Sequence, residues 1–156
     1  MSSVPRLSYL LRQAQLTNMQ SLDPVLQAFG LTTAQYIVLS VVKEHREGVS
    51  SATLARRLGV TPQSSHEIVA GLERRKLIQR AENLASRRIL QATLTAAGIS
   101  LVQKCDKEVD AFERRFFAAL SADEQTGLRD LLERVIRDNR EKTASESLLG
   151  FGTRGG

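Results

Sequence analysis

The sequence predicts a mainly helical chain with one small β-hairpin set into its middle. Three observations carry that expectation. Apolar residues recur at helical spacing through most of the 156 residues. One stretch, Leu90-Gln-Ala-Thr-Leu94, switches to strict alternation and reads as a strand. Ser/Thr caps and Gly stops then cut the helical pattern into short pieces in the middle and long ones at both ends. The length fits one domain, or one domain with long helical extensions. A hydrophobic fraction of 42% is enough for a real core and argues against global disorder. With 4% aromatics and no Trp, that core must be built from Leu, Val, Ile and Ala.

The first helical region shows Leu7, Leu10, Leu11 and Ala14 on one face, then Leu22, Val25, Leu26 and Phe29. Pro24 is placed to kink or break it, and Gly30 reads as its stop. Thr32-Thr-Ala-Gln35 matches a capping box and opens a helix through Tyr36, Ile37, Leu39 and Val42. Ser50 starts a short helix through Leu54, Ala55 and Leu58, which Gly59 ends. Thr61-Pro62 starts another, since Thr is a good N-cap and Pro is tolerated at the first helical position. That helix runs through Ile68, Val69 and Leu72 to about Arg75. Leu77 to Arg80 and Arg87 to Leu94 read as two strands joined by a basic, polar loop, a hairpin of two strands. Thr95 caps a helix to about Ala119 with Leu101, Cys105, Val109, Phe112 and Phe116 on one face. Ser121-Ala-Asp-Glu124 is a further capping box, opening a helix with Leu128, Leu131, Leu132, Val135 and Ile136. From about Lys142 the Gly- and Ser-rich composition predicts a flexible tail over 143–156.

The central order of helix, Gly-containing turn, helix and basic hairpin is that of a winged helix-turn-helix, whose second helix enters a DNA major groove. Charge agrees with it. From Ser50 to Leu90 there are eight basic residues (Arg56, Arg57, Arg74, Arg75, Lys76, Arg80, Arg87 and Arg88) against the acids Glu67, Glu73 and Glu82. That segment holds the chain's whole +5 excess, the electrostatic footprint of a nucleic-acid-binding element. A solvated charged surface is the competing reading. On a wheel at about 100° per residue, Ser65, Ile68, Val69 and Leu72 fall on one arc and face the core. Gln63, Glu67, Ala70 and Arg74 fall opposite, with His66 beside them, although an ordinary solvated helix face has the same pattern. Gln pairs bidentately with adenine and Glu accepts from cytosine. The base-reading candidates are therefore Gln63, Ser64, His66 and Glu67, with Ser51, Thr61 and Arg74 on the DNA backbone.

The stretches "SSATLARRLGVTPQSSHEIVAGLERRKLIQR" and "ASRRILQATLTAAG" resemble the DNA-binding lobe of the MarR family of bacterial regulators. The Thr-Pro-Gln-Ser opening, the Leu-Glu-Arg-Arg-Lys-Leu-Ile close and the Leu-Thr-x-x-Gly after the wing are weak singly and specific in order. The resemblance covers about Leu7 to Lys142. It implies an operator-binding regulator, most often a repressor, that forms an intertwined homodimer and reads a pseudo-palindromic double-stranded operator. The wing arginine of such proteins enters the minor groove; Arg88 matches it best, with Arg87 beside it. The family wing usually carries Asp where this chain has Ser86, so a charge-assisted bond that would orient the arginine is missing.

The expected organisation is a helical dimerisation region over 1–30 and 95–142 flanking a DNA-binding lobe over 31–94. A helix from Thr95 to Ala119 would be roughly 37 Å long, more apolar stripe than one small lobe covers. Leu7, Leu10, Leu11, Phe112, Phe116, Leu132 and Val135 are the dimerisation candidates; the alternative is that these stripes fold back on their own chain. The resemblance further implies a cleft where the dimer helices meet the lobe, with a small aromatic carboxylate as effector. Arg12, Tyr36 and His45 could supply its polar groups, against the plainer reading of a solvated Arg12, a core Tyr36 and a helix-end His45.

Other signals are set aside. Gly150-Phe-Gly152-Thr-Arg-Gly155 spells G-x-G-x-x-G but has no following helix or downstream acid for a dinucleotide. One cysteine, Cys105, excludes an intramolecular disulfide and reads as core; the family's peroxide sensors carry theirs near the N-terminus. With two histidines, His45 and His66, no metal cluster or catalytic triad is spelled, so neither cofactor nor enzyme activity is expected. Met1 to Arg6 lacks a signal-peptide core, and the apolar run Tyr36 to Val42 is too short to span a bilayer, so a cytoplasmic chain without a membrane partner is expected. A winged-helix module for protein–protein assembly remains the alternative, and it leaves the basic hairpin unexplained.

Overall fold

In a computed structural model of the chain, backbone is described for residues 4–83 and 86–150, and side chains for these except 82–90 and 141–150. The chain forms two compact units, Met1–Glu113 and Arg114–Gly156. Among the described residues six helices and three strands follow in the order α1 (Leu7–Gln27), α2 (Thr33–Glu44), β1 (Val49–Ser50), α3 (Ser51–Leu58), α4 (Pro62–Arg74), β2 (Ile78–Asn83), β3 (Ser86–Leu94), α5 (Ala96–Phe116) and α6 (Ala122–Gly150).

The helix ends are the ones the capping residues dictate. α1 runs through Pro24, which forfeits only its own bond toward the preceding turn and lies close to the helix end. Behind it, Gly30 N–H donates to the Gln27 carbonyl and Leu31 N–H to Leu26, closing the helix in a Schellman arrangement. Thr32 and Gln35 exchange the two reciprocal bonds of a capping box. Ser50 Oγ and Thr61 Oγ1 accept from the backbones of Thr53 and Ser64, opening α3 and α4. Between those helices Gly59 takes φ +66°, where a Cβ would be strained, and so makes the tight turn of the helix-turn-helix. Thr95 Oγ1 accepts from Gly98 N–H at the start of α5, and Ser121 and Glu124 form the capping box of α6.

Four features differ from expectation, the first being that β2 spans Ile78–Asn83 instead of Leu77 to Arg80. The hairpin is part of a three-stranded antiparallel sheet of order β1-β3-β2, in which Val49 faces Ala92 and Ser50 faces Gln91. A two-residue strand is too short to show alternation, so β1 exists only because β3 offers it an edge. α5 stops at Phe116 instead of about Ala119, and Ala118 and Leu120 make short backward bonds to Arg115 and Phe117 in the turn before α6. α6 continues through Gly150, past Lys142 where the tail was expected to begin. Glu141 to Leu149 contains no glycine, and its Ala, Glu, Lys and Leu are good helix formers, so the glycine-rich composition starts only at Gly150. Residues 151–156, including the rest of the G-x-G-x-x-G match, lie outside the described residues.

In the first unit a single core gathers Leu26 from α1, Val38 and Leu39 from α2, Leu54 from α3, Val69 and Leu72 from α4, Ile78 and Ala92 from the sheet and Val102, Cys105 and Val109 from α5. Ser65 is its one fully buried polar residue among those described, and Ser65 Oγ donates to the Ser51 carbonyl, fastening α4 to the first turn of α3. In the second unit no described α6 side chain is buried.

Candidate nucleic-acid interface

The Thr61 cap fixes where α4 begins and, through the 3.6-residue period, which way its side chains point. Ser65, Val69 and Leu72 are buried, and Ile68 packs against the core. Gln63, His66, Glu67 and Arg74 stand exposed on the other side, with Ala70 half-buried. Gln63 Nε2 donates to Glu67 Oε1 at 3.0 Å, so the two base-reading candidates hold each other in the free protein. Ser64 differs: it is half-buried, and its hydroxyl accepts from Thr61 Oγ1 while its N–H caps onto the same atom. Ser51 lies in the first turn of α3 against Ser65. The first turn of α4 holds no acid, so its free N–H groups present an unopposed positive end.

The basic residues of the lobe divide. Arg56 and Arg57 are exposed on α3, Arg56 reaching Thr53 Oγ1. Arg75 Nη1 instead donates to the Gly30 carbonyl at 2.8 Å, tying the end of α4 to the end of α1. Arg80 lies 3.0 Å from Glu73. The side chains of Ser86, Arg87 and Arg88 lie outside the described residues; their backbone is the first part of β3.

A second region lies where α2 meets α5. Tyr36 Oη donates to Asp106 Oδ1 at 2.9 Å, and Lys43 Nζ pairs with Asp106 Oδ2, clasping α2 to α5. Burial, then the bond to Asp106, pushes the Tyr36 phenol well above its usual range. His45 Nδ1 sits 2.8 Å from the Val41 carbonyl, which can only accept, so the proton is on Nδ1. His45 also lines a cavity of about 370 Å³ with Val42, Lys43, Arg46, Thr93, Leu94, Ile99 and Gln103. Of the three effector candidates only His45 is there. Tyr36 is engaged with Asp106, and Arg12 stands exposed on α1. Cys105 is fully buried, and burial raises its thiol, which keeps it protonated and unreactive.

The pairing candidates also divide. Leu7 (84% exposed), Leu10, Leu11, Leu132 and Val135 (54%) present apolar surface to solvent, whereas Phe112 is buried in its own chain and Phe116 is half-buried with its ring edge-on to Phe117.

The sequence model of the MarR family matches residues 29–89, the segment from the end of α1 into the wing. The HTH-type transcriptional repressor Rv2887 of Mycobacterium tuberculosis is 33% identical over 132 residues, covering 85% of this chain and 94% of that protein. The chain belongs to the MarR family. Among solved MarR-family structures, Rv2887 in complex with salicylic acid superposes with a TM-score of 0.70 at 31% identity, covering 86% of this chain and 99% of that one. Rv2887 in complex with DNA gives a TM-score of 0.69 at 30% identity, covering 85% and 98%.

In this MarR-family chain, one helix carries Gln63, His66 and Glu67 to a single outward face, as its periodicity required. Lys43, Arg46, Thr93 and Gln103 were missed as a cavity lining. They come from α2, the turn that follows it, β3 and α5, and no spacing in the sequence announces that these segments meet. Among the described residues no His/Cys/Asp/Glu group could hold a metal, and no helix is long and apolar enough to cross a membrane.

Proposed function

We propose that the chain is a transcriptional regulator that binds a pseudo-palindromic operator as a homodimer, with α4 in the major groove and the β2–β3 wing beside it. The observation that carries this is the outward polar face of α4, Gln63, His66 and Glu67, on a lobe holding the chain's whole positive excess. In this reading residues 31–94 contact DNA, and 1–30 with 95–142 pair the two copies. The exposed leucines of α1 and the exposed Leu131, Leu132, Val135 and Ile136 of α6 support pairing, because that much apolar surface calls for a cover. Repression is the sense of regulation its relative suggests, Rv2887 being named a repressor.

The effector in this reading is a small aromatic acid. Rv2887 has been solved with salicylic acid, and here the cavity beside His45 combines apolar walls (Val42, Leu94, Ile99) with Arg46 to meet a carboxylate, Lys43 being already paired with Asp106. The site residues on DNA are Gln63, His66 and Glu67 for bases, Ser51, Thr61 and Arg74 for phosphates, and Arg87 and Arg88 for the minor groove.

Titration of a duplex selected by the protein from a random-sequence pool tests the reading. With about 6–10 phosphate contacts, affinity falls roughly 10³–10⁵-fold between 50 and 200 mM salt, and half-sites recur at about 10–10.5 bp. Salt-independent binding, or a preference for single half-sites, overturns it.

A further inference from the structure

The hairpin places a cation where hairpins seldom keep one. Along β2, Ile78 is buried, Gln79 exposed, the Arg80 side chain only 14% exposed and Ala81 exposed again. Arg80 thus shares the inward face of the sheet with Ile78 and stands opposite buried Ala92. An inward guanidinium needs a partner, because burying it unpaired is costly. Among the described residues that partner is Glu73, whose Oε2 lies 3.0 Å from Arg80 Nε, close enough for an ion pair though not aligned as a hydrogen bond.

Glu73 is itself unexpected. It sits in the last turn of α4, where the helix dipole disfavours an acid. It also subtracts charge from the lobe that is otherwise basic. The pair bridges a short, stiff corner. Lys76 takes φ +57°, its N–H returning to the Glu73 carbonyl, and Thr95 Oγ1 donates to the Lys76 carbonyl at 2.7 Å.

We propose that Glu73 and Arg80 are a positioning pair that fixes the wing against the recognition helix, so that both engage neighbouring grooves at once, and that Arg80 does not contact phosphate. The proposal rests on the DNA-binding reading above. Its physical content is preorganisation: a wing already set at the docking angle spares the ordering cost of a free hairpin.

The sign of one substitution separates this role from a bland one. Glu73→Gln removes a negative charge beside a polyanion. If Glu73 is only a solvated acid, binding tightens. If it positions the wing, binding weakens, by about three- to tenfold for a partly buried ion pair.

The experiment measures affinity for the selected duplex across a salt series for the wild type, Glu73→Gln, Arg80→Ala and the exchanged pair Glu73→Arg with Arg80→Glu. Folding is checked by circular dichroism. Both single variants are expected to weaken binding with the salt slope unchanged, and the exchanged pair to recover part of the loss. Tighter binding by Glu73→Gln overturns the proposal. So does a slope lowered by about 0.9 in Arg80→Ala, the signature of one lost phosphate contact. Should Arg80→Ala not fold, Glu73→Gln decides alone. A wild type without salt-dependent DNA binding removes the DNA-binding reading and the pair's role together, whereas a binding wild type with a tighter Glu73→Gln variant removes only the pair.

Discussion

Replacing Gly98 by alanine should damage this protein although it improves a helix. Gly98 lies in the first turn of α5, and a Cβ built there falls 2.0 Å from the Leu77 carbonyl oxygen and 3.0 Å from its carbon. That is well over an ångström inside the 3.4 Å at which ordinary contact begins. The obstacle is backbone and cannot rotate away. Leu77 O already accepts from Thr95 N–H at 3.1 Å and from Thr95 Oγ1 at 3.3 Å, so moving it weakens the two bonds that hold the capping residue as well. Alanine gains about 1 kcal/mol of helix propensity. Against this stand overpacking at about 1–3 kcal/mol and two weakened bonds at about 0.5–1.5 kcal/mol each. The clash wins, with a net loss of about 3 kcal/mol, a large part of a typical stability of about 5–15 kcal/mol. Gly127→Ala in α6 is the control. Nothing lies within 4 Å of its Cβ, so propensity acts alone and the variant gains about 0.5–1 kcal/mol. Urea denaturation followed by circular dichroism, at one fixed protein concentration because the chain is read as a dimer, gives both values. A Gly98→Ala variant as stable as the wild type would refute the reasoning, since only a misplaced α5 start could accommodate it.

Four further outcomes are expected. Gln63→Ala relaxes base preference at one position per half-site, costing about 1–3 kcal/mol on the preferred sequence; equal losses on all sequences would instead make Gln63 a backbone contact. Val135→Glu, on the exposed apolar stripe of α6, shifts the chain toward monomer in sedimentation, and an unchanged dimer removes α6 from the pairing face. Lys76→Gly relieves a non-glycine residue at φ +57° and adds about 1 kcal/mol in thermal or urea unfolding, where a loss would show that the Lys76 side chain matters more than its backbone. Glu124, held below the usual carboxylate range by bonds from the Ser121 N–H and hydroxyl, stabilises the start of α6 fully above its unfolded pKa of about 4.3. That contribution is lost as pH falls through the lower folded value, so the Ser121 amide shift should titrate with a midpoint below about 4.3 and stop doing so in Glu124→Gln.

What the sequence determined by itself is what neighbours along the chain decide. Caps at Thr32, Thr61 and Ser121 and the stop at Gly59 are local bonds among residues three to five apart, and all stand in the structure. The outward face of α4 is equally local, because helical periodicity alone separates Gln63 and Glu67 from Ser65 and Val69. Even Leu-Thr-x-x-Gly was legible as a motif, but its reason was not: Gly98 must be small because Leu77 passes beside it. Tertiary structure decided whatever depends on chain segments far apart meeting. It made two residues into β1 by offering them the edge of β3. It turned Arg80 inward beside Glu73 and tied the exposed Arg75 to the Gly30 carbonyl. It also placed His45 in a cavity with Thr93 and Gln103 while leaving Tyr36 on Asp106. Periodicity tells a side chain which way to face; only packing supplies what it faces.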